Sequence, residues 1–139
     1  MSDHVCGVDI KGSMAICVLL EGTRATPKLV PTKISKIPLG DHVDQACIRS
    51  FRDAMASFLM DHGVKRVCVR GRVSKGGYSA GGGSFKAEAV IQLMDIPVDI
   101  VYLPTLKAAA RKHPNAVEQV RIRKYQEQAF WAAFCMLES

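Results

Sequence analysis

The stretch Val5–Gly22, VCGVDIKGSMAICVLLEG, sets the start of the fold. Two apolar runs, Val5–Ile10 and Met14–Gly22, flank the short link Lys11–Ser13. Apolar segments of this length joined by a short link containing glycine predict a β-hairpin. A third strand is expected over Pro27–Ile34, and Pro31 inside it places it at a sheet edge, because proline has no N–H to donate to a ladder. The chain therefore opens with a three-stranded antiparallel meander.

The pattern then changes period. Val43, Cys47, Phe51, Ala54, Met55, Phe58 and Leu59 recur at spacings of three and four, which puts one apolar stripe on a helix. Asp41 is positioned as its N-cap, and Gly63 as the residue after its end, where a left-handed backbone is least costly. Val64–Arg70 reads as the next strand. A glycine-rich loop follows, and a second helix capped by Ser84 runs to about Met94. Ile96–Leu103 reads as the fifth strand, Thr105–Lys112 as a short helix stopped by Pro114, and Asn115–Glu138 as a long final helix. The order βββαβαβα predicts an α/β fold with a mixed five-stranded sheet, two parallel strands following the meander. The whole chain, residues 1–139, is expected to be one domain.

Composition narrows the function classes. The chain is 48% hydrophobic and 23% charged, as in ordinary globular domains. It has no apolar run long enough to cross a membrane and no signal-peptide pattern at its start, so a cytoplasmic protein without a membrane partner is expected. The five cysteines form no CxxC pair and sit among apolar residues, as core thiols do. The four histidines are scattered and form no zinc motif. The net charge is +6. Six basic residues and no acid lie between Lys65 and Lys86, and six more face only Glu118 between Lys107 and Lys124. Such concentration fits a polyanionic partner, DNA or RNA, or else a solvated basic face.

Several segments in this order resemble the ribonuclease H-like superfamily, in its branch of RuvC-type Holliday junction resolvases. CGVDIKGSMAICVL resembles that family's first strand, acid and turn, and VCVRGRVSKG its fourth strand. AEAVIQLMDIPVDIVYLPTLKAAARK and YQEQAFWAAFCML resemble the following helix, strand and short helix, and the last helix. More narrowly, the chain is similar to a small bacterial family of this fold with no assigned function. The resemblance implies a ribonuclease H-like core and, were the chain catalytic, phosphodiester hydrolysis with Mg²⁺ held by converging carboxylates. Asp9 matches the first of these acids and would be catalytic and metal-binding. Gly71 stands where the second is expected, and Tyr125 and Gln128 where the last two are expected. Glu88 and Glu127 are the acids left to complete a rearranged site.

The expected function is therefore nucleic-acid binding on a degenerate two-metal nuclease centre. An active Mg²⁺-dependent nuclease using Asp9, Glu88 and Glu127 is the alternative, and a module binding a phosphorylated metabolite or a protein is the third reading. The expected binding residues are Lys11, Arg70, Arg72, Lys75, Tyr78, Lys86, Arg121 and Arg123. The glycines of the loop Ser74–Ser84 leave backbone amides open to an anion, beside a helix N-terminus. Tyr78 would stack on a base. Phe130, Trp131 and Phe134 make the last helix apolar on most sides, so it is either buried or the contact of a homodimer.

Overall fold

The structure is a computed structural model that describes residues 3–71 and 82–138. Strands β1 (His4–Lys11) and β2 (Met14–Gly22) form the expected hairpin. Their ladder closes on the pair Lys11 and Met14, leaving a two-residue turn, Gly12–Ser13. Gly12 has φ of 58°, a conformation cheap only for glycine.

The third strand expected over residues 27–34 is two short strands instead, β3 (Pro27–Leu29) and β4 (Lys36–Pro38), both paired antiparallel with β2. The break spans Pro31, which cannot donate to the ladder. The sheet thus has six strands, in the order β3-β2-β1-β5-β6, with β4 also on β2. Strands β5 (Val64–Arg70) and β6 (Val98–Val101) run parallel to β1 and to each other, respectively.

Helix α1 (Gln45–Asp61) buries Phe51, Met55, Phe58 and Leu59, as its apolar spacing requires. Its N-cap is Asp44, whose side chain accepts from the Ala46 N–H at 3.0 Å. Asp41 instead closes a turn by accepting from the Val43 N–H, and Val43 is left 76% exposed outside the helix. Gly63, with φ of 60°, ends the segment as expected. Helix α2 (Gly82–Gln92) starts two residues before Ser84, and α3 (Leu103–Lys112) starts two before Thr105.

The long last helix expected over residues 115–138 is interrupted. Short 3₁₀ turns at Val117–Gln119 and Lys124–Gln126 flank an extended stretch, and only Glu127–Phe134 is α-helical, α4. Val120 is extended and buried, and Ile122 packs on the same core cluster. Two β-branched residues with little helix preference gain more from burial in an extended segment.

Two cores flank the sheet. Cys6, Val8 and Ile10 of β1, with Val67 and Val69 of β5, face α1 and α2. Val5 and Cys68 face the other way, into a core built with Leu106 of α3 and Ala129–Phe134 of α4. Alternation along each strand explains the division. Gly7 falls on the α4 side, and a Cβ there would lie 1.8 Å from the Ala129 carbonyl oxygen. The α4 backbone therefore rests directly on β1. Phe130, Trp131 and Phe134 pack on one another at centroid distances of 4.9 to 5.8 Å. Trp131, the most open of the three, is 7% exposed. The apolar character of this helix is thus spent inside its own domain, and the homodimer contact expected there has no surface. Among the described residues no helix is long and apolar enough to cross a membrane.

The cysteines behave as core thiols. Burial pushes the Cys68 thiol up to about 12. Cys6 is raised by its hydrogen bond with Cys17 and then by burial. Cys47 is half-buried on α1. A thiol reagent at about pH 8 is expected to modify Cys47 first and to reach Cys6 and Cys68 only on unfolding. Because the folded-state value of Cys68 lies above its unfolded value of 9.0, its contribution is complete below pH 9 and is lost as pH rises towards 12. The urea midpoint should fall across that window, less steeply in Cys68→Ala.

Candidate functional site

The site builds up where β1 and β5 end. Parallel pairing sets Asp9 beside Arg70, 61 residues apart in sequence. Both lie on the α4 side of the sheet, because Asp9 follows Gly7 by two residues and Arg70 follows Cys68 by two. Lys11, two residues beyond Asp9, falls on that side too. Asp9 is fully buried. Its Oδ1 accepts from Arg70 Nη1 at 3.4 Å, and Lys11 Nζ stands 3.7 Å from Oδ2. The Arg70 side chain is 17% exposed and that of Lys11 48%, so the cations link a buried carboxylate to solvent. Two positive groups around one negative leave a local surplus of positive charge.

Gly71 is not the residue beside Asp9. Its backbone N–H donates to the Val101 carbonyl, and a Cβ there would come 2.6 Å from both Ile100 Cγ2 and Tyr102 Cε1. Ile100 packs into the core under α1 and α2, so Gly71 faces away from Asp9 and has no room for a carboxylate. The neighbouring position on Asp9's own side is held by Arg70.

One of the other acids lies apart. Glu88 is buried on α2, whose Ala87, Val90 and Ile91 pack on the opposite face of the sheet from Asp9. Glu127 is exposed at the start of α4. Tyr125 is at the same end of the sheet: its hydroxyl meets Ser35 Oγ at 3.2 Å, and Lys36 Nζ stands 4.4 Å above its ring. These residues do not fit a pair of Mg²⁺ ions. β1 and β5 carry one carboxylate between them, already faced by two cations. Among the described residues no three His, Cys, Asp or Glu side chains come together as metal ligands would.

Beside this pair, on the other side of the hairpin turn, lies a cleft of about 540 Å³. Lys11, Gly12 and Ser13 form one wall, Gly40 and His42 a second, and Gly82–Ser84 a third. The third wall is the N-terminus of α2, whose free N–H groups and partial positive charge favour an anion. A Cβ at Gly83 would come 3.1 Å from the His42 ring, so glycine keeps these walls close. Lys86 Nζ donates to the His42 carbonyl at 2.9 Å, which ties the expected phosphate ligand Lys86 to the wall. His42 had no place among the expected site residues. The turn-forming sequence Gly40–Asp41–His42 before a helix was the available signal. Arg121 and Arg123 are exposed in the segment leading to α4. Arg72, Lys75 and Tyr78 lie outside the described residues. A larger cleft of about 750 Å³, between residues 31–38 and α1, is mainly apolar and contains none of the expected site residues.

The strand order and the flanking helices form a ribonuclease H-like fold. The fold is similar to a Thermus thermophilus RuvC structure with a TM-score of 0.74 at 12% identity, covering 94% of this chain and 91% of that one. It is also similar to T. thermophilus RuvC in complex with a Holliday junction substrate, with a TM-score of 0.63 at 11% identity, covering 95% and 90% of the two chains. Within that class, residues 3–136 match the family described as protein of unknown function (DUF3010), and the chain belongs to it. No curated protein matches the sequence.

Proposed function

We propose that this domain binds a nucleic-acid backbone where β1 and β5 end, and that it has no two-metal hydrolytic centre. The observation that carries the reading is the buried Asp9 carboxylate held between Arg70 and Lys11. In a metal-dependent nuclease this carboxylate would face cations from solution. Here the protein's own cations stand in front of it, and the surplus positive charge opens towards solvent through Lys11. The glycine-walled cleft shares Lys11 with this pair, and Arg121 and Arg123 add exposed positive charge in the segment leading to α4. A RuvC of this fold in complex with a Holliday junction supports a nucleic acid as the polyanion. The alternative nuclease would have to unite Asp9, Glu88 and Glu127, and the separation of the first two by the sheet weighs against it.

Fluorescence polarisation tests this with single-stranded DNA, duplex, four-way junction and RNA–DNA hybrid, at two salt concentrations, in EDTA and in Mg²⁺. The expected result is salt-sensitive binding, equal in EDTA and Mg²⁺, with intact strands on a gel. Lys11→Ala with Arg123→Ala should lower the slope of log K against log salt on duplex by roughly 2, two phosphate contacts being lost. Both side chains are solvent-accessible, so the double variant should keep its fold. Cleavage in Mg²⁺ that disappears in Asp9→Asn would restore the nuclease reading. Absence of binding at low salt would leave the metabolite or protein module.

A further inference from the structure

Strand β2 ends away from Asp9, since its Leu20 pairs with Val5 at the start of β1. Arg24 follows that end. Its backbone N–H donates to the Glu138 carbonyl at 2.9 Å, and its Nη2 donates to the Cys135 carbonyl at 3.0 Å. The guanidinium is thus held against the residues that end α4. Phe134 precedes Cys135, and the His113 ring meets the Phe134 ring edge-on at a centroid distance of 5.0 Å. Lys112, beside His113, is the last residue of α3. Arg24, Lys112 and His113 together line a cleft of about 330 Å³. No acid lines it, and among the described residues no carboxylate stands within ion-pair distance of any of the three. Arg24 Nε is buried without a hydrogen-bond partner among the described residues. A buried donor without an acceptor is costly, and an anion drawn to the guanidinium offsets that cost.

The rest of the cleft is mainly apolar. Thr105, Ala108, Ala109 and Lys112 line it from α3, at the spacing of one helix face. The two alanines keep that wall low between the Thr105 hydroxyl and the Lys112 ammonium, whose residues lie about 10 Å apart along the helix axis. Phe134 and Met136 line the cleft from the end of α4. The cations gather where α3 and α4 end, and the apolar lining extends from there. A cleft of this size and polarity matches a small organic anion, with a charged head on the guanidinium and an apolar body along the alanines. An inorganic anion leaves the apolar lining uncovered, and an uncharged chain leaves the guanidinium unmatched.

We propose that this cleft binds a single-chain organic anion, an acyl carboxylate or an alkyl phosphate, with its head at Arg24, Lys112 and His113 and its chain along Ala108 and Ala109. The site does not use Asp9 or its cations, so it stands independently of the proposed nucleic-acid face. Calorimetric titration of the full chain with octanoate, octyl phosphate, octanol and inorganic phosphate tests it, below the concentrations at which the amphiphiles form micelles. At least one of the two octyl anions should bind with a Kd below about 1 mM, and the tighter of them identifies the head group. Octanol and inorganic phosphate should each bind at least about tenfold more weakly, a charge-assisted hydrogen bond or the apolar contact being lost. Lys112→Gln, at an exposed position, should weaken the octyl anion about threefold. Ala108→Leu, at a partly exposed helix position that tolerates leucine, should fill the cleft and abolish binding with unchanged circular dichroism. Cys135 lines the cleft and Cys47 lies on α1, so bound ligand should slow alkylation of Cys135 and leave that of Cys47 unchanged. Failure of both octyl anions to bind, octanol binding as tightly as they do, or binding that survives Ala108→Leu would overturn the proposal.

Discussion

Gly7→Ala is expected to unfold this domain or leave it barely folded. The added methyl would sit 1.8 Å from the Ala129 carbonyl oxygen and 2.5 Å from the Ala133 nitrogen. Both are backbone atoms of α4, so no side-chain rotation relieves the clash. The helix has to lift from β1, and Ala129, Phe130, Ala133 and Phe134 lose the sheet they cover. Overpacking of a core commonly costs about 1–3 kcal/mol, and a rigid obstacle on both sides puts this variant above that range. Against a total stability of about 5–15 kcal/mol, such a loss is a large fraction. Trp131, the chain's one tryptophan, is in α4, so its fluorescence reports the event directly. The urea midpoint should collapse and the emission shift to the red. Gly12→Ala is the control. Its Cβ meets open space, so only the left-handed backbone is penalised, by about 1–2 kcal/mol. Equal, small effects of the two substitutions would show that α4 is not seated on β1.

Arg70→Ala is expected to have the second-largest effect. It removes the closer of the two cations at a fully buried carboxylate and leaves Lys11 at 3.7 Å, on a side chain half open to water. Breaking a buried pair from one side costs about 3–5 kcal/mol, and the remaining lysine should hold the loss to about 2–4. Replacing both partners, Asp9→Asn with Arg70→Ala, should cost much less than Arg70→Ala alone, because no buried charge is left facing an apolar cavity. Equilibrium urea unfolding of the four proteins in that cycle measures the coupling. If the double variant is as damaged as the single, the pair is not the reason for the loss. For this reason Lys11 and Arg123, rather than Arg70, are the positions to substitute when nucleic-acid binding is measured.

The same geometry shows what stands where a second acid would have to lie to meet Asp9. The position beside Asp9 on β5 is held by a guanidinium, and the next residue, Gly71, faces the opposite core under Ile100 and Tyr102. An acid written into position 71 would clash and point away from Asp9. An acid at position 70 would meet it.

What was legible in the sequence is what depends on neighbours within a few residues. The hairpin followed from two apolar runs and a glycine turn, and α1 from its three-four spacing. Gly63 and Gly12 carry the left-handed turns that glycine alone makes cheap. The change from period two to period 3.6 gave the mixed sheet and its flanking helices. Local signals misplaced elements where a longer-range gain outweighed propensity. Val120 and Ile122 sit in an extended segment that feeds the α4 core, so the last helix is shorter than its composition predicts. Asp41 and Asp44 are equivalent as caps by type, and only the closed turn Asp41–Asp44 settles which begins the helix.

The tertiary structure alone decided which charges meet and which side of the sheet they share. Arg70 reaches Asp9 through a parallel register that no local spacing encodes. One residue of offset sends Gly71 to the other core, since strand side chains alternate. Glu88 is as acidic in sequence as Asp9, yet α2 packs on the opposite face, and the rearranged triad comes apart. The aromatic stripe of α4 likewise read equally well as core or as interface. Its burial against Gly7 settles the matter, because a helix that rests its backbone on a strand has no apolar side left to offer.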